Sequence, residues 1–174
     1  MVSKPLQSFL SAHLQSCQKE GTRVQEEGIR VSTTKMAGEI IILFHTDCDE
    51  GRRGLKMEAP GIKICDYLFY YTKEGKKAEV VCFLELKGKK LEDAVEQVHK
   101  THMQLEAMSK EEIHRTHHPN FIWKVCICLS GQASSMSHSQ RIHDELKQKY
   151  GKGNVEIKHG MRHDIGPLLR KEAR

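Results

Sequence analysis

The stretch Val80-Val81-Cys82-Phe83-Leu84-Glu85-Leu86-Lys87 is the most informative part of the chain. Its first five residues are apolar, which predicts a buried β-strand, and two charged residues then follow near its end. Because side chains along a strand alternate between its two faces, Glu85 and Lys87 project from the same face. Charged groups on so apolar a strand need a partner, and a divalent cation together with a phosphate group would provide one.

The segments before this strand predict the rest of a small sheet. Residues 62–72 are β-rich and contain Asp66, and the turn residues Glu74-Gly75-Lys76-Lys77 follow them. A turn of this kind predicts that residues 62–72 pair antiparallel with a strand over residues 79–86. The earlier segment Glu39–His45 is strongly apolar and predicts another strand.

The segments after this strand predict two helices and two further strands. A helix is expected to start near Leu91, because the apolar spacing becomes helical there. One face of this helix would be formed by Leu91, Ala94, Val95, Val98, His102 and Leu105. The pattern then predicts a buried strand over Phe121–Leu129 with Trp123 in the core, a helix over residues 138–150 and a short strand over Val155–His159.

The outer segments give weaker patterns. Residues 5–19 predict an amphipathic helix that ends near Gly21. The pattern of residues 23–35 is ambiguous and is compatible with a short strand through Ile29 and Val31. Residues 47–60 are polar and contain glycine, which predicts a loop.

Composition places the chain among ordinary globular proteins. A length of 174 residues predicts a single domain, with a core at about residues 39–130 and a helix–strand appendage at about residues 138–160. The net charge of +5 permits nucleic-acid binding without requiring it. No apolar stretch approaches the roughly 20 residues that span a bilayer. The start of the chain lacks the apolar core of a signal peptide, so the expected location is cytoplasmic.

The six cysteines favour free, reduced thiols over disulfides or zinc ligands. Four of them lie inside β-like apolar runs, where cysteine behaves as a small hydrophobe: Cys65, Cys82, Cys126 and Cys128. The histidines at positions 99, 102, 114, 117 and 118 suggest a zinc site, but no cysteine pair of suitable spacing accompanies them. Zinc binding is therefore disfavoured.

Asp66, the pair Glu85-x-Lys87 and the helix that follows resemble the motif of the PD-(D/E)xK nuclease superfamily. The resemblance extends over roughly residues 39–130 and implies a restriction-endonuclease-like αβββαβ core, an α/β fold with a mixed central sheet flanked by helices. One departure is that Cys65, not proline, precedes Asp66. The resemblance implies a metal-dependent nuclease that hydrolyses phosphodiester bonds, with DNA favoured over RNA as substrate.

The resemblance also implies a role for each site residue. Asp66 and Glu85 would bind Mg²⁺ or Mn²⁺, the Leu86 backbone carbonyl would be a third ligand, and Lys87 would orient the attacking water and stabilise negative charge. Gln97 would be a further catalytic residue, although the tyrosine often seen four residues later in RecB-like relatives is Thr101 here. An acid from the N-terminal region would complete the site, and Glu20, Glu26 and Glu27 remain alternatives.

Basic residues beside these positions are candidates for contacts with the nucleic-acid backbone: Arg52, Arg53, Lys56, Lys89 and Lys90. A homodimer or a larger complex is expected, because cleavage of two strands by one active site per chain is most simply done by two chains. Two alternatives remain. The chain is a catalytically inactive nucleic-acid-binding or protein-interaction module of the same fold, or it has an unrelated α/β fold in which Glu85 and Lys87 form an ordinary ion pair.

Overall fold

A computed structural model describes residues 4–87, 90–113, 121–131 and 136–171. Its helices and strands follow one another along the chain as α1 Pro5–Leu14, β1 Gln18–Lys19, β2 Arg23–Glu26, β3 Ile29–Ser32, β4 Glu39–His45, α2 Asp49–Gly54, β5 Tyr67–Lys73, β6 Glu79–Lys87, α3 Leu91–Ile113, β7 Phe121–Leu129, α4 Met136–Tyr150, β8 Val155–His159, β9 Arg162–Asp164 and α5 Gly166–Arg170. Among the residues described, no helix is long and apolar enough to cross a membrane.

The centre of the fold is a six-stranded sheet of mixed orientation, in the order β1-β4-β5-β6-β7-β8. Strands β1, β4, β5 and β6 pair antiparallel, and β6, β7 and β8 pair parallel. The connection from β6 to β7 runs through α3, as a parallel crossover requires. Because β6 lies between β5 and β7 and is covered on both faces, its sequence is almost continuously apolar.

The two faces of the sheet carry different layers. The helices α1, α3 and α4 pack on one face, around a core that includes Phe44, Tyr70 and Phe83. The other face is covered by a three-stranded sheet of order β2-β3-β9 and by α5, around a second core that includes Phe69 and Leu84. The chain is therefore a mixed α/β protein with a central sheet flanked by helices.

The strongest sequence patterns predicted their elements correctly. Glu39–His45, Phe121–Leu129 and Val155–His159 are strands with the expected bounds, and the antiparallel hairpin of β5 and β6 is present. The helix predicted to start at Leu91 does so and runs to Ile113. Its predicted face is buried except for Val95, which is partly buried against the same core.

Other predictions were wrong or incomplete. The first helix ends at Leu14, where the chain tightens into a 3₁₀ turn over Gln15–Cys17. The short strand through Ile29 and Val31 is present as β3, and residues 23–35 also contain β2, which pairs with it as a hairpin. Residues 47–60 contain α2, which is stabilised by the Cys48 thiol that accepts a hydrogen bond from the Gly51 N–H at 3.4 Å.

The strand predicted over residues 62–72 starts only at Tyr67. The backbone of residues 64–66 bonds mainly to side chains, apart from the Asp66 carbonyl, which accepts from the Thr46 N–H just after β4. The elements β9 and α5 were not predicted, because three and five residues are too short for a periodic pattern. Cys65, Cys82, Cys126 and Cys128 are buried free thiols, as expected.

Candidate functional site

The predicted site residues meet where β5 begins and β6 ends. Tyr67 lies opposite Leu84 in this antiparallel pair, so Asp66 and Glu85 follow as the next opposing positions. Glu85 lies on the face of the sheet that α3 covers, because it alternates with Leu84 and Leu86 of the second core. The register of one hairpin thus brings together two acids that are 19 residues apart in sequence.

The two carboxylates replace the backbone hydrogen bonds that the strands would otherwise form here. The Asp66 N–H donates to Glu85 Oε2 at 3.0 Å, and the Leu86 N–H donates to Asp66 Oδ2 at 2.7 Å. The backbone pairing of β5 with β6 accordingly ends at Tyr67 and Leu84. Because the N–H and C=O of a strand residue point to the same side, the Leu86 carbonyl is directed towards the Asp66 side as well.

Burial makes this pair of acids electrostatically unfavourable by itself. Asp66 is 7% exposed and Glu85 is fully buried. Burial raises the pKa of Asp66 to about 6, against the stabilising hydrogen bond from the Leu86 N–H. Burial, and then repulsion from Asp66, raise the pKa of Glu85 to about 8. At neutral pH Glu85 therefore retains a proton that an isolated carboxyl group would release, whereas Asp66 is mostly ionised.

Lys87 is the cation of the site. Its Nζ lies 3.0 Å from Glu85 Oε1, and the two groups form an ion pair. Burial by itself would lower the pKa of Lys87, but the attraction of Glu85 outweighs it and the pKa lies above its usual value. The ammonium group stays charged at neutral pH, which suits electrostatic stabilisation and positioning better than proton abstraction.

A cleft of about 780 Å³ opens beside Lys87. Its walls are formed by the turn between β2 and β3, by residues 58–64 and by the first turns of α3. Gln97 lies in this wall, buried, with its Nε2 donating to the Ile64 carbonyl at 2.8 Å. The predicted residue Gln97 therefore lies in the wall of the same cleft as Lys87 and holds the chain two residues before Asp66.

The predicted phosphate-contacting residues are only partly gathered at the cleft. Arg52 and Lys90 line it, and Arg52 donates to Asp47 Oδ1 at 2.6 Å and to the Ile62 carbonyl at 2.9 Å. Arg53 and Lys56 are outside the lining. Lys89 lies outside the described residues. Sequence reasoning missed Lys63, which lines the cleft and pairs with Asp93 and Glu96.

The three candidate N-terminal acids lie at different distances from the site. Glu27 lines the cleft in a left-handed backbone conformation, with a φ of 47°. Glu26 is held by the Tyr67 hydroxyl, and its charge contributes to raising the pKa of Asp66. Glu20 lies in a separate depression with Lys19 and Ile42. Glu26 and Glu27 are therefore near the predicted centre, and Glu20 is not.

The predicted histidines do not extend this site. His102 is buried against Phe83, Trp123 and Tyr150 and accepts or donates one hydrogen bond with the Tyr150 hydroxyl. Trp123 is partly buried and packs against the same core. His99 lies beside Tyr150, with its ring centroid 6.1 Å from that of the tyrosine. The histidines at positions 114, 117 and 118 lie outside the described residues.

The residues present fit Mg²⁺ or Mn²⁺ bound through few protein ligands. Within the described part of the chain, no group of three His, Cys, Asp or Glu side chains could hold a metal ion. Mg²⁺ often binds through only one or two carboxylates and retains several waters. Glu85 Oε1 is buried without a hydrogen bond, and Asp66 Oδ1 accepts none from the described residues. These two oxygens and the Leu86 carbonyl are the ligands that the site offers.

Comparisons with family models, with curated proteins and with solved structures give no match to this chain. The function is therefore inferred from the geometry of the site.

Proposed function

We propose that the chain is a nuclease that uses Mg²⁺ or Mn²⁺ to hydrolyse phosphodiester bonds in nucleic acid. The observation that carries the proposal is the buried pair of Asp66 and Glu85 with Lys87 at 3.0 Å, beside an open cleft. Two buried carboxylates that repel each other contribute nothing to packing that apolar residues would not provide. A bound cation would compensate the repulsion between the two carboxylates and would explain why acids occupy these buried positions.

Each residue has a definite task in this proposal. The metal, when bound, would supply charge neutralisation and a water of lowered pKa. Asp66 and Glu85 would hold it from two adjacent strands, with the Leu86 carbonyl as a further ligand. The Lys87 ammonium would lie beside the scissile phosphate, where its charge stabilises the negative charge that develops on the phosphate oxygens. Gln97 would hold the chain segment before Asp66 in place, through its hydrogen bond to the Ile64 carbonyl.

The order of elements supports the same proposal. Helix α1, the antiparallel strands β4, β5 and β6, the crossover helix α3 and the parallel strand β7 follow the αβββαβ order of the restriction-endonuclease-like core when β1, the β2–β3 hairpin and α2 are set aside. In this proposal the hairpin of β2 and β3 is an insertion between β1 and β4, and α2 is an insertion between β4 and β5. The preference for DNA over RNA and the expected homodimer rest on the resemblance alone.

A cleavage assay with two lysine variants tests the proposal. Supercoiled plasmid, linear duplex, single-stranded DNA and RNA are incubated with the protein in Mg²⁺, Mn²⁺ or EDTA. Lys87→Ala is expected to lower metal-dependent cleavage by roughly 100-fold or more, because it removes a charge next to the reacting phosphate. Lys110→Ala is the matched control, since Lys110 is an exposed lysine near the end of α3, outside the cleft lining, where it pairs with Glu106.

The outcomes separate the alternatives. Cleavage that needs metal and is lost in Lys87→Ala but not in Lys110→Ala supports the nuclease. Equal cleavage by both variants and the wild type refutes the assigned site. Metal binding without cleavage of any substrate favours the inactive module of the same fold, and no metal binding favours an unrelated α/β fold.

A further inference from the structure

The segment Ile64-Cys65-Asp66 is held by side chains from two other parts of the chain. From α3, Gln97 Nε2 donates to the Ile64 carbonyl and Thr101 Oγ1 accepts from the Cys65 N–H, each at 2.8 Å. From the residue after β4, the Thr46 hydroxyl donates to the Cys65 carbonyl. These bonds take the place of strand pairing just before Asp66.

The hydroxyl of Thr101 is oriented for this task. It donates to the Gln97 carbonyl, one turn earlier in α3, at 2.8 Å. Because the hydroxyl proton is used in that bond, the oxygen lone pairs are left to accept the Cys65 N–H. Thr101, Thr46 and Cys65 are all fully buried, so water does not compete for these bonds.

The Asp66 backbone is fixed on its other side as well. The Thr46 N–H donates to the Asp66 carbonyl at 2.9 Å, and the Asp66 N–H donates to Glu85. Thr46 thus bonds to two successive carbonyls, those of Cys65 and Asp66. With Thr101 on the N–H of Cys65, the two threonines hold both polar groups of the residue before the metal-binding acid.

We propose that Thr101 and Thr46 are positioning residues that set the Asp66 carboxylate at the distance from Glu85 that a metal ion needs. The inference rests on the proposed function, because it concerns the same centre. Neither threonine touches the substrate or the metal. Cys65 occupies the position where the nuclease motif has proline, and a proline would lack the N–H that Thr101 accepts. In this chain the threonine pair provides the rigidity that a proline ring would otherwise give.

Three variants test the proposal. Thr101→Val keeps the shape of the side chain and removes the acceptor, while Thr101→Ser keeps the hydroxyl. Thr72→Val is the matched control, because Thr72 is a buried threonine of β5 whose hydroxyl donates to the Ala78 carbonyl, at the end of the hairpin away from Asp66. Mn²⁺ affinity is measured by titration on each folded protein, together with its melting temperature and its rate of cleavage.

Thr101→Val is expected to weaken Mn²⁺ binding roughly tenfold and to lower kcat, as loss of a residue that supports a metal ligand does. Thr101→Ser is expected to restore both, and Thr72→Val to lower the melting temperature without changing Mn²⁺ affinity. Unchanged affinity in Thr101→Val, or an equal loss in Thr72→Val, overturns the positioning role. If Thr101→Val does not fold, Thr46→Val against Thr46→Ser gives the same comparison. A wild-type protein that binds no Mn²⁺ refutes the proposed function itself.

Discussion

Removing the charge of Glu85 is expected to stabilise the metal-free protein, and to stabilise it more as the pH rises. Burial and Asp66 raise the pKa of Glu85 from 4.5 to about 8. Between these two values the folded protein holds a proton that the unfolded chain has released. The free energy of unfolding therefore falls as the pH rises through about 8, and Glu85→Gln is not subject to this loss.

The size of the effect follows from the shift. At 1.36 kcal/mol for each pKa unit, a rise from 4.5 to about 8 corresponds to about 5 kcal/mol for a rigid, dry site. Relaxation and water entry from the adjoining cleft reduce such penalties. The Lys87 ammonium beside Glu85 is also partly exposed and remains hydrated. We therefore expect the variant to gain about 2 to 3 kcal/mol over the wild type between about pH 5 and pH 8.5.

Urea unfolding in EDTA measures this gain. Wild type, Glu85→Gln and Glu111→Gln are compared across the pH range, the last because it removes the same charge from an exposed position on α3. Added Mg²⁺ is expected to raise the stability of the wild type at high pH and to leave Glu85→Gln unchanged, since only the wild type retains both acidic ligands. Parallel stability curves for wild type and Glu85→Gln in EDTA would refute the reasoning, because the pair would then impose no pH-dependent cost.

Two further predictions concern parts of the fold away from the cleft. Burial lowers the pKa of His102 from 6.5 to about 4, so on acidification the unfolded chain binds a proton there before the folded protein does. Lowering the pH from about 6.5 to about 4 is therefore expected to lower the free energy of unfolding by up to about 3 kcal/mol. His102→Gln should reduce this loss of stability at acid pH, as measured by denaturant titration, and an unchanged loss would contradict the burial argument. Glu79 accepts hydrogen bonds from the Leu6 and Gln7 N–H groups at the start of α1 and from the Tyr70 hydroxyl. Glu79→Gln is expected to lower the free energy of unfolding by about 1 to 2 kcal/mol, measured by urea unfolding at neutral pH, and no loss would mean that these bonds do not cap the helix.

The sequence predicted the elements that carry their own periodic pattern. The strand at Phe121–Leu129 and the helix from Leu91 are long enough for apolar spacing to define them. The late start of β5 was not predictable in this way, because Ile64 and Cys65 are as apolar as strand residues. Their hydrogen bonds go to Thr46, Gln97 and Thr101, which are distant in sequence.

The same limit applies to the candidate site. Glu85 and Lys87 were identifiable because two charges interrupt an apolar strand, and Asp66 because it lies on the preceding β-rich segment and fits the nuclease motif. The register of β5 against β6 then places Asp66 opposite Glu85. The proximity of Glu26 and Glu27 was not derivable, since it depends on how the hairpin of β2 and β3 lies on the second face of the sheet. The sequence did contain a signal for the hairpin itself, the Glu27-Gly28 pair, whose left-handed conformations form its turn.

The charge balance of the cleft bears on how a substrate would enter it. Of the cations in its lining, Arg52 is paired with Asp47 and Lys63 with Asp93 and Glu96, while Lys87 lies against Glu85 and the exposed Lys90 lies 4.0 Å from Asp93. A polyanion approaching the metal-free protein would therefore meet cations that mostly have an acid beside them. In the proposed function, a divalent cation at Asp66 and Glu85 would draw Glu85 away from its pairing with Lys87 and add positive charge at the same point. Metal binding would then create the attraction for phosphate as well as the chemistry, so substrate affinity and catalysis would depend on the same two carboxylates.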